Sequence, residues 1–192
     1  LAILLTLVIV SCSTSKIVIL HTNDTHSQVE PSNDNMGGYA RRAGFIDSIR
    51  KHEKNVLLLD AGDYLQGTPY FNFFKGDVEI AAINAMKYDA ITIGNHEFDN
   101  GVSALADVLS KSLVPIVCSN YKVTGTPLDG LIKPYLIIKR RGIKIGIIGL
   151  GIQPRGLITE TNFYGIHYLD PIAVDNNYGY YLKKKAKCDV VI

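Results

Sequence analysis

Short apolar runs rich in valine, isoleucine and leucine recur along the 192-residue chain, at residues 17–20, 56–59, 90–93, 115–118, 135–138, 143–148 and 190–192. Runs of this length, bounded by turn residues, read as strands buried on both faces. Between several of them lie stretches with helical spacing: 39–52, with Ala43, Ile46 and Ile49 on one face, then 78–86, 102–109 and 172–186. Strands alternating with helices predict an α/β layer fold with at least one mainly parallel sheet. From 122 to 142 the alternation breaks: Gly125, Pro127, Gly130 and Pro134 mark turns, and no helix separates the strands. An antiparallel or second-sheet excursion is expected there.

The segments after the strands are equally regular. The first run leads into His21-Thr22-Asn23-Asp24-Thr25-His26, the second into Asp60-Ala61-Gly62-Asp63, the third into Gly94-Asn95-His96-Glu97, and the fourth into Ser119-Asn120. The carboxyl ends of parallel strands share one edge, where sites are built, so these four clusters are expected to converge. Asp24 and His26 are two apart and face one side of an extended segment, where they could share a cation. An Asx-turn beside a surface histidine accounts for the pair as well. Asp63, after Gly62, presents a carboxylate able to bridge two ions, although Asp60 or Asp63 could instead cap the next element. Asn95 offers a neutral oxygen and His96 an imidazole, while Asp99 is close enough in sequence to fix the ring's tautomer. Asp99 or Asn100 also suits the N-cap of the next helix.

The motifs D-x-H, G-D and G-N-H-E, in this order and each after a strand, resemble the metal-binding signature of the calcineurin-like metallophosphoesterases. More narrowly, "ILHTNDTH", "GGYARRAGFI", "LLLDAGDYLQGTP" and "ITIGNHEFDNG" resemble the N-terminal catalytic domain of the 5'-nucleotidase family, from about Lys16 to the chain end. The resemblance implies a layered αββα sandwich with mainly parallel strands and two divalent ions, of Zn, Mn, Fe or Co. Asp24 and His26 would hold the first ion, Asp63 would bridge both, and Asn95 would bind the second. His96, paired with Asp99, would face the phosphate, stabilise the transition state and protonate the departing oxygen, and Glu97 would be structural. His21 would be a packed histidine, and His52 and His167 surface ones. The implied reaction is hydrolysis of phosphate monoesters, nucleotides above all, by a hydroxide generated between the ions. The family completes its site with later histidines, in a Ser/Thr-His and a Gly-His motif, and grips the nucleoside with a C-terminal domain. Neither is among these residues, so a sandwich incomplete at its C-terminus, with impaired activity and a missing or separate substrate-binding domain, is expected.

Twenty Lys and Arg against eighteen Asp and Glu leave a net charge of only +2, and the basic cluster at 183–187 reads as a solvated face, so no nucleic-acid footprint is present. With 47% hydrophobic residues the chain supports one domain, placed at 16–192. Residues 1–15, "LAILLTLVIVSCSTS", read as a targeting segment and linker, too short to span a bilayer. Ile9-Val10-Ser11-Cys12 resembles the lipobox of bacterial lipoproteins; Cys12 would then carry a lipid anchor, the sole membrane contact, in the periplasm or on the outer membrane. An ordinary cleaved signal peptide is the alternative. Cys118 and Cys188, both in apolar strand-like runs, read as buried free thiols. Two rival functions are a non-catalytic envelope lipoprotein that uses its sheet for partner contacts, and a dinucleotide-binding domain suggested by "GIIGLGIQPRG". In the latter, Pro154 stands where a third glycine is needed.

Overall fold

The computed structural model describes residues 16–192; the segment 1–15, including Cys12, lies outside the described residues. In chain order the strands are β1 (Val18–Thr22), β2 (Val56–Asp60), β3 (Ala90–Ile91), β4 (Ile116–Val117), β5 (Tyr121–Lys122), β6 (Ile132–Lys133), β7 (Leu136–Arg140), β8 (Ile143–Ile147), β9 (His167–Tyr168) and β10 (Val190–Val191). The helices are α1 (Tyr39–His52), α2 (Pro69–Phe74), α3 (Asp77–Met86), α4 (Gly101–Leu109) and α5 (Pro171–Tyr180). One sheet runs β1-β2-β3-β4-β6 with every pair parallel. A second runs β10-β8-β7, in which β10 is parallel and β7 antiparallel to β8, and β5 pairs with β9 apart from both.

The period of two along a strand sorts the core into layers. In β2, Leu58 faces a helical layer with Ile46, Ile80, Ile83, Leu105 and Leu109, whereas Leu57 faces the second sheet with Ala90, Val117, Ile145 and Ile147. Gly146, between those two isoleucines, therefore looks the other way. There a Cβ would stand 3.0 Å from Leu182, a fully buried residue of the π-helical turn Tyr181–Lys185 that continues α5. The layers thus run helix, sheet, sheet, helix, the expected αββα order.

Local chemistry sets several boundaries. α2 opens on Pro69 and closes at Lys75 in the left-handed conformation, and α5 opens on Pro171 with Asp170 Oδ1 accepting from the Ala173 amide at 2.7 Å. Between residues 122 and 142 the expected excursion divides. β7 and β8 form an antiparallel hairpin in the second sheet, but β6 extends the first sheet in parallel, with Ile132 opposite Ile116. The dinucleotide reading fails here, because β8 is followed by an irregular segment rather than a helix. Gly149 and Gly151 serve close packing: a Cβ would stand 2.0 Å from the Val117 carbonyl oxygen and 2.3 Å from the Tyr121 ring. Cys118 and Cys188 are buried free thiols, and burial pushes Cys118 up to about 11. Among the described residues no helix is long and apolar enough to cross a membrane.

Candidate metal centre

The first three strands end side by side, Thr22 opposite Asp60 and Asp60 opposite Ile91. Beyond β1 and β2 the chains stay paired: the amides of Asp24, His26 and Ser27 donate to the carbonyls of Gly62, Asp63 and Tyr64, each at 3.0 Å. One ligand atom from each of Asp24, His26 and Asp63 lies within 4.8 Å of the others. Asp24 Oδ1 is 3.9 Å from His26 Nε2, and Asn23 Nδ2 donates to Asp24 Oδ2 at 2.9 Å. Two carboxylates and an imidazole aimed at one point fit a divalent transition metal.

The expected extended alternation is not what brings Asp24 and His26 together. Asp24 (φ 49°), His26 (φ 43°) and Asp63 (φ 53°) all occupy the left-handed region. Each such residue costs about 1 kcal/mol or more, a strain that collects at functional sites. Burial elsewhere offsets it, since fully buried side chains such as Leu57, Leu58 and Ile93 contribute about 1.5–3 kcal/mol each.

Glycines bring the second and third loops into contact. Gly62 has φ +99°, and a Cβ there would meet the Gly94 nitrogen at 2.6 Å; a Cβ on Gly94 would meet Asp63 Oδ1 at 2.3 Å. Glu97, 2% exposed, ties the loops together in the structural role expected of it. Its Oε2 accepts from the Asp63 amide at 2.9 Å and the Gly94 amide at 2.6 Å, and its Oε1 from the Leu65 amide at 3.1 Å. Burial pushes its carboxyl up to about 7, against the three amides that favour the ionised form. Asp63 Oδ1 in turn accepts from the His96 amide at 2.9 Å, which aims the carboxylate.

His96 opens a 3-10 turn, His96–Phe98, immediately after half-buried Asn95. Its Nδ1 is 3.0 Å from Asp99 Oδ2, and its ring meets His26 edge-on with centroids 5.0 Å apart. Partial burial disfavours the imidazolium, but the Asp99 carboxylate, followed by Asp63 and Glu97, outweighs it and holds His96 above the ordinary histidine value. With Nδ1 engaged by Asp99, Nε2 is the ring nitrogen left for another partner. Asp99 is therefore the ring's partner; Asn100 holds the N-cap position of α4 without a side-chain bond.

Two further expectations fail. His21 is exposed, not packed, and borders a cleft of about 290 Å³ between the two sheets. The fourth polar cluster does not join the site: Ser119 Oγ donates to the Pro134 carbonyl at 2.5 Å, while Asn120 bonds both the amide (2.7 Å) and the carbonyl (2.8 Å) of Gly151. His52 and His167 are exposed, as expected. Glu79 was not anticipated, although it carried a signal: it stands on the apolar stripe of α3 at i, with Ile83 and Met86 at i+4 and i+7, and all three are buried.

This sandwich, with carboxylates and histidines converging at the carboxyl edge of its parallel sheet, is that of a metal-dependent phosphoesterase domain. The chain belongs to the calcineurin-like phosphoesterase family, which matches it over residues 17–190. Relatives 40–44% identical to it are 5'-nucleotidases. It is 44% identical over 168 residues to the snake venom 5'-nucleotidase of Crotalus adamanteus, a match covering 81% of this chain and 29% of that protein. Among solved structures, the 5'-nucleotidase precursor of Thermus thermophilus superposes with a TM-score of 0.82 at 33% identity, covering 91% of this chain and 36% of its own. The NAD nucleotidase of Haemophilus influenzae does so with a TM-score of 0.82 at 31% identity, covering 91% and 33%. The chain thus spans about a third of the length of these relatives.

Proposed function

We propose that this domain hydrolyses phosphate monoesters, with nucleoside 5'-monophosphates as the leading substrate class. The observation that carries the reading is the convergence of Asp24, His26 and Asp63 beside the His96–Asp99 pair. Asp24 and His26 would hold one divalent cation, Asp63 would bridge to a second and Asn95 would bind the second; Zn, Mn, Fe and Co all suit these donors. When bound, such a pair acidifies water into the neutral range and neutralises charge building on the phosphate. His96, held by Asp99, donates its Nε2 proton to the departing oxygen, and the Asp99 carboxylate favours the protonated ring that this donation requires. The names of the relatives, 5'-nucleotidases and an NAD nucleotidase, support nucleotides as the substrates.

Nucleoside recognition falls to a C-terminal domain, and Cys12 anchors the protein to the bacterial envelope through lipid. Titration calorimetry with Mn²⁺ and hydrolysis of an aryl phosphate and of AMP test the core of this reading. His96→Ala is expected to lower turnover by about 10²–10⁴-fold while Mn²⁺ binding persists. Unchanged turnover in that variant, or a folded chain without Mn²⁺ affinity, would overturn it, the latter in favour of a non-catalytic protein.

A further inference from the structure

His26 and Ser27 are consecutive left-handed residues, with φ 43° and 53°. Such a pair persists only where its surroundings over-determine it. Ser27 is held through its amide, which donates to the Tyr64 carbonyl at 3.0 Å, and through its Oγ, which lies 2.7 Å from Thr68 Oγ1 and donates to Glu79 Oε1. Thr68 also donates to the Ser27 carbonyl at 3.0 Å. Thr68 stands at the N-cap position of α2 yet makes no capping bond, so its hydroxyl serves the ligand loop instead.

Glu79 approaches this turn from α3, outside both ligand loops. It and Ser27 are each 0% exposed, and its second oxygen, Oε2, is buried without a partner among the described residues. Stability alone does not explain a glutamate here, because an apolar side chain of similar size would avoid the desolvation and the orphaned oxygen. Among the described residues, the one hydrogen bond of its carboxylate goes to the residue immediately after His26.

We propose that Glu79 is a positioning residue for the metal centre: by holding Ser27 it fixes the left-handed turn that presents His26 to the ion. The proposal rests on the metal-centre reading of Asp24, His26 and Asp63. Outer partners of metal ligands typically govern affinity by 10–100-fold.

Two measurements on the 192-residue chain test it: amide hydrogen exchange without metal, and calorimetric titration with Mn²⁺. In Glu79→Leu the His26 and Ser27 amides are expected to exchange about tenfold faster, the opening that attends loss of one buried hydrogen bond. Mn²⁺ affinity is expected to fall about 10–100-fold. The metal-free melting midpoint should stay at or above that of the parent, which separates positioning from loss of stability. Glu79→Gln retains an acceptor for Ser27 and should restore both readouts. Should the leucine variant fail to fold, Ser27→Ala removes the same bond from its other end: the exchange and Mn²⁺ expectations carry over, while its melting midpoint falls because the Glu79 carboxylate is left buried without a donor. Unchanged exchange at His26 and Ser27, or faster exchange with unchanged Mn²⁺ affinity, would overturn the proposal. A parent chain that binds no Mn²⁺ would instead remove the metal reading, and with it the role of Glu79, even if the exchange result held.

Discussion

Asp63 shows how tightly single residues are constrained. Its backbone is left-handed, its amide is held by Glu97, its carbonyl receives the His26 amide, and its carboxylate receives the His96 amide. The space beside that carboxylate exists because residue 94 has no side chain. Gly94→Ala would place a methyl 2.3 Å from Asp63 Oδ1, and the loop backbone cannot retreat without breaking the bonds to Glu97. The variant is expected to lose about 1–3 kcal/mol of stability by overpacking and at least tenfold in Mn²⁺ affinity. Urea denaturation and calorimetry measure the two, and parental affinity would show that the carboxylate has room to move.

At the scale of elements, the ends of β1 and β2 are joined through Asp60, whose Oδ1 accepts from the Gly62 amide and whose Oδ2 accepts from Thr22 Oγ1. Thr22 Oγ1 in turn lies 2.8 Å from the Tyr88 hydroxyl. Burial pushes the Asp60 carboxyl up to about 6 from an ordinary 3.8, with the two hydrogen bonds opposing it. A folded-state pKa raised above the unfolded one gives stability that is full below pH 3.8 and is lost as pH rises through 6. Metal-free parent should therefore lose about 3 kcal/mol between pH 3 and pH 7 relative to Asp60→Asn, which does not titrate, keeps an acceptor for the Gly62 amide and reverses the other bond, its Nδ2 donating to Thr22 Oγ1. Urea midpoints in EDTA across that range measure it, and parallel pH profiles would contradict it. The strands legible in the sequence were those with enough apolar residues to show a pattern. β5 (Tyr121–Lys122), β6 (Ile132–Lys133) and β9 (His167–Tyr168) hold one aliphatic residue between them, whereas the equally short β3, β4 and β10 sit in apolar runs; α2, at six residues, is too short for periodicity to register. The site was legible because Asp24, His26, Asp63, His96 and Asp99 come after strands whose parallel order brings their ends together. What the sequence withheld was direction. Left-handed turns at non-glycine residues leave no compositional mark, and nothing in the pattern told His21 or Ser119-Asn120 from the residues that do converge.

For the molecule as a whole, a cation held jointly by residues from the first two loops favours the folded state by mass action. Mn²⁺ at a hundred times its dissociation constant should add about 2.7 kcal/mol, or roughly 5–10 °C in melting midpoint for a domain of this size. EDTA should reverse the gain and Asp63→Asn should abolish it; a midpoint indifferent to Mn²⁺ in scanning calorimetry would mean that the ligands meet no ion. The continued pairing of Asp24, His26 and Ser27 with Gly62, Asp63 and Tyr64 also carries an evolutionary cost. Each loop is measured against the other, so a single-codon insertion or deletion between Thr22 and His26, or between Asp60 and Tyr64, would leave the donors counting from different origins. Divergence in this stretch must proceed by replacing letters and never by changing their number.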